Sequence, residues 1–236
     1  MDVVYVYKHR GTDELLYSIK LVKKYLPHDK IFVVGDLPHY LKNEDIIFVS
    51  SSNIGSKYNN TTKHLLKVCK DPRLSENFIL MNDDFFIIKP ITNPEEEFNL
   101  NRGTIASVYN RYLKKYGEPT SYSRGMYNTM KFIQDNCNIK DPLSFELHVP
   151  MVMNKHNVLK MYELPGVKDI KILHKRSLYG NLYITNSKPC KDVKILTCNR
   201  LHRGTPKFDQ KFFSTSDTMW HMVKPYVCQL LKKPTK

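Results

Sequence analysis

The run Phe78-Ile79-Leu80-Met81-Asn82-Asp83-Asp84-Phe85-Phe86 places two adjacent carboxylates one residue beyond four consecutive apolar residues. An apolar run of this length reads as a strand buried on both faces, and in open α/β sheets ligands collect just beyond the carboxyl ends of such strands. Neighbouring acids there repel one another unless a cation or a donor compensates them. Mg²⁺ or Mn²⁺, held by one or two carboxylates and completed by substrate phosphates, is one solution, with Asp84 and Asp83 as metal ligands. The competing reading makes Asn82-Asp83 a turn and Asp84 the cap of the following segment.

Three later segments carry groups suited to act beside such an ion. In Ser144-Phe145-Glu146-Leu147-His148-Val149-Pro150, Glu146 and His148 alternate on one face of an extended stretch. One can take a proton from an acceptor hydroxyl while the other orients it or protonates the leaving group. Arg176, in His174-Lys175-Arg176-Ser177, is a candidate for bidentate bonds to phosphate, with a surface basic cluster as the alternative. Between Tyr109 and Tyr127, basic residues that include Arg111, Lys115 and Arg124 are interleaved with tyrosines. Such a stretch can hold an anionic acceptor, or it can be a tyrosine stripe buried against a sheet. The polar clusters at 199–204 and 212–217 follow apolar runs and are candidates for a lid or a further metal ligand.

These residues need a sheet to deliver them. Val3 to Tyr7 reads as a strand running into the basic loop Lys8-His9-Arg10-Gly11-Thr12-Asp13, and residues 13–25 carry Leu15, Leu16, Ile19 and Val22 at helical spacing. Thr12 or Asp13 serves as the helix N-cap, and Pro27 ends the segment. Residues 31–36 and 46–49 are two more buried strands, and 56–69 a helix that leads to the strand before the acids. Strand, helix, strand in this order implies a parallel sheet with a right-handed crossover. Further on, 104–109 reads as a strand, and 130–137 and 152–162 as helices. The expected fold is one α/β domain, with residues 1–90 as the nucleotide-binding half and 91–236 as the acceptor half. No glycine-rich dinucleotide or P-loop motif is present, so phosphates must be held by metal and basic side chains.

Composition narrows the class. With 236 residues, 41% of them hydrophobic and 11% aromatic, the chain can bury a sizeable core. No stretch approaches the roughly 20 apolar residues of a membrane span, which gives a cytoplasmic expectation. The five cysteines are scattered and form no Cys-x-x-Cys pair, so they read as reduced and mostly buried thiols. A net charge of +14 favours an anionic partner such as nucleic acid.

The order of these motifs resembles the Stealth family, whose members transfer sugar-1-phosphate from a nucleotide sugar to a hydroxyl. The resemblance rests on Asp2-Val3-Val4-Tyr5-Val6, on Asp13 to Ile19 and Leu26-Pro27, on Lys30 to Val34 and Leu37 to Leu41, and most closely on Leu74 to Phe78 leading into Asn82-Asp83-Asp84-Phe85-Phe86. His148-x-Pro150 and Arg176-Ser177 are similar to the later blocks. The resemblance implies a GT-A-like core, shared with many glycosyltransferases, in which an acidic motif binds metal and donor diphosphate.

Three functions are compatible with these features. The first is a metal-dependent glycosyltransferase using a nucleotide sugar, expected to be a UDP-sugar. In it Asp84 and Asp83 hold the metal, Tyr7, Lys8, Arg10, Asp13, Asp36 and Asp83 bind the donor, and the acceptor is anionic, for example hydroxymethylated phage DNA. The second is a Stealth-like hexose-1-phosphate transferase acting on a saccharide, with Glu146, His148 and Arg176 at the phosphate. The third is a non-catalytic basic nucleic-acid-binding protein.

Overall fold

Strands that are apolar on both faces have to be covered on both sides, and the helices between them supply the cover. In the computed structural model, which describes residues 1–9, 11–202, 205–206 and 210–234, four such strands lie parallel. They are β1 (Asp2–Tyr7), β2 (Ile31–Gly35), β3 (Ile47–Ser50) and β4 (Asn77–Met81). Val3 stands opposite Ile31 on one side and Ile79 on the other. A fifth strand, β7 (Met151–Asn154), closes the order β3-β2-β1-β4-β7 and runs antiparallel to β4.

One face of this sheet, carrying Val4, Phe32, Phe78 and Leu80, is covered by α2 (Lys57–Cys69), α4 (Ile105–Tyr116), α5 (Ser121–Cys137), α6 (Lys155–Glu163) and α7 (Lys175–Tyr183). The other face, with Val3, Tyr5, Ile79 and Met81, packs on α1 (Glu14–Tyr25) and on β5 (Phe85–Ile87). β5 belongs to a second sheet of order β5-β12-β9, formed with β12 (Phe212–Thr215) and β9 (Lys194–Ile195). Its outer side carries α8 (Trp220–Lys232), whose Trp220 ring stacks on Phe86 at 5.0 Å. Short elements complete the chain: α3 (Pro94–Phe98), β6 (Leu100–Asn101) paired with β8 (Lys188–Pro189), and β10 (Leu201–His202) paired with β11 (Thr205–Pro206).

The strands expected at 3–7, 31–36 and 46–49 and the helices at 13–25 and 56–69 are present within a residue or so. Two expectations are corrected. Residues 104–109 start helix α4: Thr104 Oγ1 caps Ser107 N at 3.2 Å, and Ile105 and Val108 bury at i, i+3 spacing. Residues 151–154 are strand β7, and the helix begins only at Lys155, where Asn154 Oδ1 accepts from His156 N and Asn157 N. A four-residue edge strand followed at once by a helix carries too short an alternation to be read apart from helical spacing. All five cysteines are free as expected, but only Cys69 is fully buried.

Gly180 shows how tightly α7 and the 143–148 segment meet. A Cβ there would lie 2.3 Å from the Phe145 ring, so α7 can approach the 143–148 segment only because this position has no side chain. Gly180→Ala should therefore lower stability by about 1–3 kcal/mol despite alanine's better helix propensity, because overpacking outweighs it. The urea midpoint is the measure; an unchanged or raised midpoint would contradict this packing.

Candidate active site

The acids sit where the two sheets meet. Asn82, Asp83 and Asp84 form the turn between β4 and β5, closed by Phe85 N donating to Asn82 O at 3.2 Å. The turn is thus real, and its carboxylates still face functional groups. Asp84 Oδ2 accepts from Lys194 Nζ at 3.0 Å and from Ser214 Oγ at 3.1 Å, while its Oδ1 is buried without a hydrogen-bond partner. β9 and β12 thereby bring the C-terminal half onto the turn. The Asp83 charge is felt instead by Tyr5 and Tyr40, whose hydroxyls are raised mainly by burial. Among the described residues, no group of three His, Cys, Asp or Glu is arranged to hold a metal.

Beside the turn lies a cavity of about 210 Å³ lined by Asn82, Glu146, His148, Lys175, Arg176 and Thr61, among others. Glu146, His148 and Arg176, singled out from the sequence, are brought together there. The 143–148 segment is tied to α7 by Leu143 N to Asn181 Oδ1 at 2.8 Å and Phe145 N to Ser177 Oγ at 3.1 Å. Glu146 Oε1 accepts from Ser177 N at 3.1 Å, so this carboxylate sits at the α7 N-terminus, where the helix dipole favours negative charge. Arg176, 8% exposed, donates through Nη2 to Val149 O and lies 5.7 Å from the Phe85 ring centre, leaving Nε without a partner. Lys175 Nζ donates to Thr61 Oγ1 at 2.6 Å, and burial pulls its pKa down to about 8 against the attraction of Glu146.

His148 is held by a residue that motif reading missed. Its Nδ1 is 2.9 Å from Asp192 Oδ2 and its backbone N donates to Asp192 Oδ1 at 3.3 Å. Burial alone would raise the Asp192 carboxyl, but the hydrogen bond from His148 and the charges of His148 and Arg102 outweigh it and hold the pKa at about 2. With Nδ1–H donating to that carboxylate, Nε2 is the ring nitrogen left free to accept a proton. Asp192 and Lys194 flank the buried Val193, and Arg200 Nη1 fastens this short stretch by donating to Asp192 O and Lys194 O. The alternation Asp192-Val193-Lys194 inside a basic run was the available signal.

The other expected residues divide. Arg111 and Lys115 line a second cavity of about 440 Å³, together with Arg102, His148, Asp192 and Lys194, so the His148 ring borders both spaces. Arg124 is exposed on α5 and lines neither of these two cavities. Tyr7 is 2% exposed, and its hydroxyl meets Tyr40 OH at 3.0 Å and His9 Nδ1 at 3.1 Å; it supports the loop after β1 from within the core. Asp36 Oδ2 accepts from His9 N at 2.9 Å, latching that loop to the end of β2, and Lys8 is exposed beside it. The Asp13 carboxylate takes Trp220 Nε1 at 2.8 Å and Lys224 Nζ at 2.5 Å and so ties α8 to the start of α1. Arg10 and residues 203–204 lie outside the described residues. Of the 212–217 cluster, Ser214 reaches Asp84, and Thr215 Oγ1 donates to the buried Glu14 Oε1 at 2.7 Å.

No family model matches the chain. It is 42% identical over 88 residues to the capsular polysaccharide phosphotransferase fcs1 of Haemophilus influenzae, a match covering 34% of this chain and 24% of that protein. It is 30% identical over 169 residues to a capsular polysaccharide phosphotransferase of Neisseria meningitidis serogroup B, covering 64% and 44%. The chain spans less than half the length of these curated relatives. Among solved structures, the galactosyltransferase LgtC, in complex with donor and acceptor sugar analogs, aligns over 100% of this chain and 97% of its own with a TM-score of 0.53 and 11% identity. The architecture is therefore GT-A-like, a mostly parallel sheet between helices.

The depressed Asp192 pKa gives a test of the His148 pairing. Asp192 titrates near the ordinary aspartate value of 3.8 when unfolded and at about 2 when folded. It therefore contributes stability that is fully present above about pH 4 and lost as the pH falls through about 2. Asp192→Asn should cost roughly 2 kcal/mol at neutral pH and flatten the decline between pH 4 and pH 2. Urea unfolding at a series of pH values reads both effects, and parallel curves for the two proteins would refute the pairing.

Proposed function

We propose that this GT-A-like chain transfers a sugar-1-phosphate from a nucleotide sugar to a hydroxyl of a saccharide. The observation that carries this reading is the convergence of the His148–Asp192 pair with Lys175 and Arg176 on one cavity at the end of the β4 strand. A proton acceptor and two cations in one pocket suit attack at a phosphate, and the relatives named capsular polysaccharide phosphotransferases support the same class. Glycosyl transfer to modified DNA needs the same donor but gains no support from these relatives. The net charge of +14 is satisfied equally by an acidic saccharide.

In this reading the acceptor hydroxyl gives its proton to His148 Nε2 as its oxygen bonds to the phosphorus next to the sugar. The bond from that phosphorus to the bridging oxygen breaks, and the nucleoside monophosphate leaves with the electron pair. Asp192 stabilises the imidazolium that forms. Lys175 and Arg176 neutralise the charge that grows on the phosphate oxygens, the main electrostatic demand of phosphoryl transfer. Glu146 orients the α7 N-terminus that carries both cations.

A divalent ion fits Asp84 to a limited degree. Its buried, unpartnered Oδ1 is an orphaned acceptor, and Mg²⁺ is ordinarily held by one or two carboxylates with substrate phosphates completing the shell. Asp84, with Asp83 beside it, would hold such an ion, which would supply Lewis-acid stabilisation of the diphosphate. Lys194 already neutralises the other Asp84 oxygen.

Incubation with UDP-sugars, Mn²⁺ or Mg²⁺ and an oligosaccharide should release UMP; release of UDP would indicate glycosyl transfer instead. His148→Ala should lower turnover by roughly 10²–10⁴-fold, and Asp84→Ala should abolish it while the circular dichroism spectrum is kept. Full turnover by either variant would sink the assignment.

A further inference from the structure

A groove of about 610 Å³ runs from the catalytic cavity along the outer face of α2, and Tyr58 and Leu173 line both. Its floor is apolar, built from Leu66 of α2 and from Val167 and Ile170 of the facing segment, with Tyr162 at its side. Its rim is basic. Lys63, Lys67 and Lys70 follow one another at i, i+4, i+7 along α2, and Lys168 and Lys171 stand across from them. No Asp or Glu lines the space.

These five ammonium groups are uncompensated. Lys63 and Lys67 donate to the neutral Ser52 Oγ and Ser50 O, each at 2.5 Å, and none of the five is ion-paired with a carboxylate among the described residues. Asp71, the nearest acid along the chain from Lys70, is taken by Arg73 at 2.6 Å. Like charges four apart on a helix destabilise it by a few tenths of a kcal/mol, so the arrangement costs the isolated fold and is relieved by an anionic occupant. The apolar, tyrosine-edged floor suits the C–H faces of pyranose rings, while the rim suits charges repeated along a chain. The volume is that of a site for a small molecule or a short oligomer.

We propose that this groove binds an anionic glycan, the non-reacting part of the acceptor chain, with its reacting end directed past Tyr58 and Leu173 to His148. The assignment of that chain as acceptor rests on the transferase reading above; the binding itself does not. The test is fluorescence anisotropy at low salt with labelled tetragalacturonate, neutral maltotetraose and a single-stranded oligothymidine, on the wild type and on Lys168→Glu/Lys171→Glu. Both lysines are exposed and outside the catalytic cavity. Tetragalacturonate should bind the wild type and lose at least tenfold in affinity in the double variant, and maltotetraose should bind neither. Acceptor-free hydrolysis of the nucleotide sugar, measured in parallel, should be unchanged. Equal affinity of the two proteins for tetragalacturonate, or wild-type binding of maltotetraose as tight as that of tetragalacturonate, would overturn the proposal. Tighter, lysine-dependent binding of oligothymidine would overturn the glycan class in favour of nucleic acid. Lysine-dependent glycan binding without any donor hydrolysis would leave the groove standing and remove the transferase reading.

Discussion

A buried carboxylate oxygen with nothing to accept from costs a fold several times what an exposed one does, and Asp84 Oδ1 is such an atom. The cost is contained because Oδ2 is held by Lys194 and Ser214, which arrive on β9 and β12. Of these, β12 pairs with β5 and β9 with β12, and β5 follows Asp84 directly in the chain, so one turn joins the two sheets and carries the acid between them. The second sheet is thus what converts the end of β4 into a site: without it the acids would be a solvated turn. Glu14, buried on the same side, has its carboxyl pushed up mainly by burial and further by the charges of Asp84 and Asp217. A Glu14 with a raised pKa limits the negative charge that Asp84 has to share space with.

The cleft is otherwise arranged against its own stability. Lys175 and Arg176 place two cations in the first turn of α7, the end where the helix dipole disfavours positive charge, and burial lowers the pKa of both. Glu146, Asp192 and Asp84 offset part of this at a distance. A phosphate group in the cavity would offset more, since it meets both cations and the α7 backbone N–H groups at once. The same logic applies to His148, whose Asp192 partner is already fully committed to it and to Arg102.

Much of this was legible in the chain. The buried strands, the helices between them and the acids at the end of β4 follow from apolar runs and their spacing, because those patterns are local. Glu146 and His148 could be paired because alternation alone puts them on one face. Asp192, Lys194 and Ser214 could not, because each reaches its partner across long stretches of chain, 44 residues in the case of His148 and Asp192 and 130 for Asp84 and Ser214. Lys194 and Ser214 also come from strands too short to show a period, and Asp192 precedes β9 in no regular element. The bonds of Asp13 to Trp220 and Lys224 were illegible for the related reason that those partners lie more than 200 residues away. Thr104 to Tyr109 misled because β-branched and aromatic residues score as strand until the Thr104 cap and the i, i+3 burial are seen.

The positive charge gains a more specific meaning from where it falls. Eleven of the 37 lysines and arginines fall in three connected places: Lys175 and Arg176 in the cleft, Arg102, Arg111, Lys115 and Lys194 around the second cavity beside His148, and five lysines along the α2 groove. His148 borders the first two, and Tyr58 with Leu173 joins the first to the third. The cavity lined by His148, Lys175 and Arg176 is thus the one that adjoins both of the others. Charge distributed in this way does more than raise the local concentration of an acidic acceptor. In the transferase proposed above, the same lysines and arginines that attract an acidic acceptor would also determine where along it transfer occurs.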